Sequence, residues 1–322
     1  MEIRKELFKP AEIALKQCMG LQAGENLLIV TNSELMSMAL ALFEEGMKIT
    51  KDTKMVVYPR GKTNGEEPPQ WVAEQMYEAD VIIGITVTSI THTRARRRAC
   101  DVFRARCATL PGITEDIFIR GLQADYNDIS VRSNRILEFM EKAQVARVKT
   151  PDGSDYTVEL GNPSEVSDGI CHRAGWIVNL PDGEVECAPT NANGVVVANI
   201  SGSIITEPTK IELKDGYIVS IDTSHESGKR FRQLINEAME IDGNNNAEYI
   251  AEFAIGTNTS SKITGNVLED EKVFGTTHVA FGTNTSYPGG TNNSSLHQDV
   301  IMFKPTIWFD EKMIMKDGEL LV

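Results

Sequence analysis

The sequence predicts an α/β protein in two parts. An N-terminal open α/β domain with a parallel sheet is expected over 1–146, and a C-terminal, mainly antiparallel α+β metal-binding domain over 147–322. Three observations predict it. Buried-strand runs alternate with helical periods early in the chain, period-two hairpins with Asp-Gly turns fill most of the later part, and histidines and carboxylates gather near its end.

Residues 4–18 have apolar positions at helical spacing, and Gly20 and Gly24 close the segment before a strand over 26–31 (NLLIVT). Asn32 or Ser33 is expected to cap the next helix, which carries Leu35, Met36, Met38, Leu40, Leu42 and Phe43. A strand over 54–58, a Pro/Gly-rich loop to Pro69, a helix over 70–78 and a strand over 80–86 (DVIIGIT) follow. Strands spaced this way need crossover helices, hence a parallel sheet. No G-x-G-x-x-G follows any of these strands, and Gly61-Lys62-Thr63 after the second has Val56 where the first glycine of a G-x-x-x-x-G-K-[ST] loop would stand, which argues against a nucleotide-phosphate cradle. A helix after Thr93 places Ala95, Ala99 and Val102 on its inner stripe and turns its arginines to solvent. A helix over 126–145 ends the first domain. Beyond it come hairpin strands at 147–150, 156–160, 194–200, 209–213 and 217–221, with turns at Asp152-Gly153 and Asp215-Gly216. A helix over 228–240 interrupts them, and strand 306–309, the Asp317-Gly318 turn and a short final strand close the chain.

At 322 residues and 41% hydrophobic the chain can bury two cores. Its 46 acidic and 32 basic side chains leave a net charge of −14, which repels phosphate backbones and argues against nucleic acid as a partner. No run has signal-peptide or membrane-span character, so no membrane association is expected and the cytoplasm is the expected location. Five cysteines without C-x-x-C spacing read as reduced and packed.

Chemistry concentrates in residues 247–303. His278 and His297 lie there with Glu252, Glu269, Asp270, Glu271 and Asp299, an imidazole and carboxylate set suited to Zn, Co, Mn or Fe(II). On a strand His297 and Asp299 project from one face and Gln298 from the other. His92 lies at a strand-to-helix turn, where it either meets a ligand or orders the loop. Glu184, in the Pro-bounded stretch 179–189, reads by itself as a surface carboxylate on an edge strand.

Four ordered motifs carry a resemblance: N-L-P-x-x-E-V-x-x-A-P from Asn179, A-E-F-A-I-G from Ala251, D-E-K-V-x-G-T-x-H-V-A-F-G from Asp270, and S-L-H-Q-D-V-I-M from Ser295. In this order they resemble the aminopeptidase S and T family of dinuclear metallopeptidases, also called thermophilic metalloproteases. Ser89–Thr93 and 108–114 (ATLPGIT) extend the likeness into the first domain. The resemblance implies metal ligands at Glu184, Glu252, His278, His297 and Asp299, and a homodimer. The family also places a tyrosine on a metal seven residues after the first histidine. That position is Thr285, and the nearest tyrosine, Tyr287, stands nine residues on, a candidate for metal or substrate contact. The fold also resembles that of 2,5-dihydroxypyridine 5,6-dioxygenase, a mononuclear non-haem iron enzyme.

Three functions follow. The first expectation is an aminopeptidase acting on short peptides, in which two ions (Zn, Co or Mn) activate water and Glu271 moves protons. The alternative is ring cleavage of a small molecule at one Fe(II) held by His278, His297 and Asp299. The non-enzymatic alternative is a metal-stabilised binding protein. As an ordinary acidic turn, Glu269-Asp270-Glu271 would be exposed, and the loop 282–295 is either a lid or a surface loop.

Overall fold

The computed structural model describes residues 3–322. The chain forms two compact units, one of residues up to Asn127 together with Asp168–Asp182, the other of Asp128–Ser167 with Gly183–Val322. The division expected at 146/147 is therefore displaced. Most of the Tyr126–Met140 helix goes with the second unit because Ile136 and Met140 are buried in that unit's core. Residues 168–182 return to the first because Ile177–Asn179 pairs with Arg106–Thr109.

In the first unit the sheet order is Thr53–Val57, Leu27–Thr31, Val81–Ile85, Arg106–Thr109, Ile177–Asn179. All its pairings are parallel. Two of the three inner strands, LLIVT and VIIGI, are buried at every residue, and so read as continuous apolar runs rather than alternating ones. The opening helical segment buries Leu7, Ala11, Ala14, Leu15 and Cys18 along one stripe.

Asn32 does not cap the helix that follows it. Its buried side chain instead donates to the Tyr58 carbonyl at 2.9 Å and accepts from the Val87 amide at 2.8 Å. One amide thus ties together the chain leaving the first three strands, at the place where the strand order reverses.

The arginine helix, Arg94–Asp101, also departs from expectation. Ala95 and Ala99 are buried, but Val102 lies beyond the last turn and is exposed. Arg96 turns inward because its Nε donates to the Thr91 carbonyl at 2.6 Å, while Thr93 caps the helix by accepting from the Arg96 amide. Arg106 sits on a strand and is buried against Glu25 and the Met19 carbonyl.

The second unit contains two antiparallel sheets. The larger runs Tyr217–Ile221, Thr209–Lys214, Asn191–Ala198, Asp155–Glu159, Val145–Lys149, Thr306–Phe309, Lys312–Lys316, Glu319–Leu320. Its Asp215-Gly216 and Asp317-Gly318 turns place both residues at positive φ, as a tight hairpin requires. The smaller runs His297–Phe303, Thr276–Gly282, Ile250–Gly256, Glu184–Cys187, Ser164–Ser167. Inner-face residues of both sheets, among them Val148, Val158, Val196, Phe253, Val279 and Val300, form one core with Phe231 and Ile235 of the Glu226–Asp242 helix.

All five cysteines are free and buried. Among the described residues no helix is long and apolar enough to cross a membrane.

Candidate metal centre

Strand alternation in the smaller sheet builds the site. Val185 and Cys187, Phe253 and Ile255, Val279 and Phe281, Val300 and Met302 face the core. The residues between them must face the other way: Glu184 and Glu186, Glu252, His278, His297 and Asp299. An irregularity in register between Ile250 and Glu252 lets Ile250 join the core while Glu252 turns to the site. Small residues, Ala254, Gly256, Ala280 and Gly282, occupy the same face, so the functional side chains lean over them.

Glu184 is therefore not a surface carboxylate on an edge. Its strand pairs on both sides, and the residue is 3% exposed. His278 Nε2 lies 3.2 Å from Glu252 Oε1 and 3.4 Å from Glu184 Oε2. His297 Nε2 lies 3.1 Å from Glu252 Oε2 and 3.6 Å from Asp299 Oδ1. His297 Nδ1 is 2.8 Å from the Thr283 carbonyl, which holds Nε2 toward the carboxylates. The Tyr287 hydroxyl donates to Glu252 Oε2 at 2.6 Å and its ring stacks on His297. Thr285 contacts Thr283 instead. Gln298 points away as expected and donates to Ser201.

These atoms fall into two groups, each within 4.8 Å: Glu184, Glu252 and His278, and Glu252, His297 and Asp299. Glu252 belongs to both. The donor set fits a divalent ion. Oxygen and nitrogen atoms about 2.1 Å from one centre stand about 3.0 to 3.5 Å from each other, close to the separations found. Glu184 Oε2 and His278 Nδ1 are buried without hydrogen-bond partners. Three candidate-ligand carboxylates, Glu184, Glu252 and Asp299, crowd a buried space, which is costly without compensating positive charge.

The same crowding acts on the imidazoles. Burial opposes charge on His278, but the Glu252 hydrogen bond and the charges of Glu252, Glu184 and Asp299 raise its pKa to about 9. Burial likewise opposes charge on His297, and Asp299 and Glu252 lift it well above the ordinary imidazole range. Despite burial, the two imidazoles hold Glu252 well below the usual carboxylate range, and His297 lowers Asp299. For Glu184 burial prevails and raises the pKa.

Glu271 is no exposed turn. It is buried, pairs with Lys272 Nζ at 2.8 Å, and is pushed by burial to about 8 against the pull of that lysine. Lys272, 3% exposed, also donates to Glu184 Oε1. Lys272 and Glu186 are the site residues that sequence reasoning missed. For Glu186, strand alternation from Glu184 was signal enough; for Lys272, the D-E-K-V motif itself contained it. Glu186 is half-buried, and burial with the neighbouring charges of Glu184 and Glu252 pushes its carboxyl well up. His92 belongs to the first unit, where it is exposed between Val81–Ile85 and Arg94–Asp101, and is in neither ligand group.

A mixed α/β fold with a histidine and carboxylate cluster on one sheet face defines a metal-binding enzyme scaffold. The chain belongs to the 2,5-dihydroxypyridine 5,6-dioxygenase (NicX) family, whose model matches residues 11–322. Among solved structures, 2,5-dihydroxypyridine dioxygenase from Pseudomonas putida KT2440 is similar, with a TM-score of 0.83, 16% identity and coverage of 98% of this chain and 97% of that one. AmpT from Thermus thermophilus is also similar, with a TM-score of 0.73, 16% identity and coverage of 99% of each chain. At this identity both likenesses concern the fold. No curated protein sequence matches the chain.

Proposed function

We propose that this chain is a metal-dependent enzyme that opens an oxygen-substituted aromatic ring at a single Fe(II), with hydrolysis at two ions as the second reading. The observation that carries the single ion is the difference in access across the centre. The side chains of His297 and Asp299 are 25% and 11% exposed, whereas Glu184, Glu252 and His278 are at most 4%. Substrate therefore meets the Glu252, His297 and Asp299 end. Family membership over nearly the whole chain supports the oxidative reading over the aminopeptidase first expected. The set there is one imidazole and two carboxylates rather than the His278, His297 and Asp299 expected, because His278 groups with Glu184 and Glu252. Fe(II) held by that set would keep positions open for dioxygen and for paired donor atoms of a substrate.

The residues have separable tasks. His297 presents Nε2 because Thr283 holds Nδ1, and Tyr287 steadies Glu252 from the loop side. His278 holds the second oxygen of Glu252. Glu271, with its pKa near 8, keeps a proton at neutral pH and is placed to release it, whichever chemistry operates. His92 is proposed to contact substrate. The second reading has its own support, since two ligand groups sharing one carboxylate are what two bridged ions need.

The test is to reconstitute metal-free protein with Fe(II), Zn, Co or Mn and to assay oxygen uptake with dihydroxypyridines beside cleavage of aminoacyl-arylamides. Oxygen uptake with Fe(II) alone and no amide cleavage is expected. Amide cleavage with two bound ions would replace the first reading by the second. In the same assay His92→Ala keeps its metal and loses turnover by about 10²-fold, the scale for a positioned polar group; unchanged kcat/KM would make it structural.

A further inference from the structure

We propose that residues 283–296 form a fixed wall of the metal centre rather than a lid, and that Asp242 is the positioning residue that holds this wall and so aims His297. The inference rests on the ligand group of Glu252, His297 and Asp299, which both readings above share.

Asp242 is the last residue of the 17-residue helix Glu226–Asp242, and Gly243 follows it in the left-handed conformation that ends helices. A carboxylate there faces unsatisfied carbonyls and the negative end of the helix dipole, so the helix gains nothing from it. The loop does. Asp242 accepts from the Ser294 hydroxyl at 2.5 Å and from the Ser295 amide at 2.9 Å. The Leu296 amide donates to the Ser294 hydroxyl at 3.2 Å, which fixes the residues leading into His297. The Leu296 carbonyl then accepts from the Thr283 amide at 2.6 Å, and the Thr283 carbonyl is the group that meets His297 Nδ1. An unbroken series of bonded residues thus runs from the helix end to the imidazole. Asn246, just beyond the helix, adds a second tie: its side chain donates to the Asn293 carbonyl and its own carbonyl accepts from the Asn292 side chain, both at 2.9 Å. The far side of the loop is seated as well. A Cβ on Gly289 would stand 2.3 Å from Asn162 Oδ1, and the Asn162 side chain is itself held by the Ala188 carbonyl at 2.9 Å. A lid opens because few bonds hold it to the body of the protein. This loop is bonded at its base and packed at its tip.

The experiment follows the wall and the metal separately. Amide hydrogen exchange of metal-free wild type, read by mass spectrometry, should show residues 283–296 protected before any ligand is added. Asp242→Ala should exchange there about 10-fold faster or more, while strand 276–282 keeps its protection. Exchange as fast as that of an open loop in metal-free wild type would overturn the wall, and an Asp242→Ala that exchanges like wild type would overturn the part given to Asp242. Both proteins are then titrated anaerobically with Co(II) against a chromophoric chelator. Asp242→Ala should bind about 10- to 100-fold more weakly, with an altered Co(II) absorption spectrum. Asp242→Asn, whose carboxamide oxygen can still accept from the Ser295 amide, should recover most of both. A folded Asp242→Ala with wild-type affinity and spectrum would refute the positioning role. If Asp242→Ala does not fold, Asn292→Ala, which cuts the tie to Asn246 from the loop side, is held to the same outcomes. Wild type that takes up no Co(II) would sink the metal readings above and the role of Asp242 toward His297 with them, whereas the exchange of wild type alone decides the wall.

Discussion

Tyr287 is the residue whose displacement matters most. Two positions beyond its expected place, it still reaches Glu252 because the loop after Gly282 folds back: Asn292 donates to the Gly282 carbonyl and Asn284 accepts from the Asn292 amide. A hydroxyl 2.6 Å from a carboxylate that both ligand groups use sets where that carboxylate points. Tyr287→Phe should therefore weaken metal binding about 10- to 100-fold, measured by competition with a chromophoric chelator, while leaving the fold in place. Affinity equal to wild type would assign the tyrosine to substrate alone. The five candidate ligands were legible because each lies in a quoted motif and H-x-D alternation needs only a strand. Lys272 lies in one of those motifs too, but its place was not legible, since a lysine among acidic residues reads as a solvated turn until pairing shows that Val273 and Phe274 lie beside Asn258.

At the scale of elements, the strand Ile250–Gly256 is the spine of the site. It pairs with the strand bearing Glu184 on one side and the strand bearing His278 on the other. Its last residue has no room for a side chain, because a Cβ at Gly256 would meet the Val273 carbonyl. Gly256→Ala must push the 272–274 segment away and should destabilise the metal-free protein by about 1–3 kcal/mol, read from urea denaturation. An unchanged midpoint would mean that the segment yields freely, and the docking of Lys272 would lose its anchor. Local elements were largely readable from period and turn chemistry, as with LLIVT, VIIGI and the Asp-Gly hairpins. Strand order was not: Ile177–Asn179 pairs with a strand some 70 positions earlier, and no local pattern in three residues announces a partner so distant.

For the whole molecule the charge in the site makes stability depend on pH. His278, raised from 6.5 to about 9, contributes stability that is full below about pH 6.5 and lost as pH rises through 9. Glu271, raised from 4.5 to about 8, acts in the same direction, since the folded state favours its neutral form. Glu252 and Asp299, both lowered, contribute above their ordinary values and lose that contribution in acid. Chelator-treated protein should thus melt highest near pH 5 to 6 and several degrees lower by about pH 9. Added metal should reverse the alkaline limb, because ligand imidazoles must lose their protons to bind. A Tm that stays flat from about pH 6 to 9 in metal-free protein would contradict the charged-imidazole account. The first unit contributes differently. Open parallel sheets commonly keep a socket where their strand order turns around, and cofactors settle in it. Here the carboxamide of Asn32 spans that turning point, bonded to the chain on both sides of it. The same side chain moors the start of the stretch from Val87 to Thr93, with the exposed His92 near its tip.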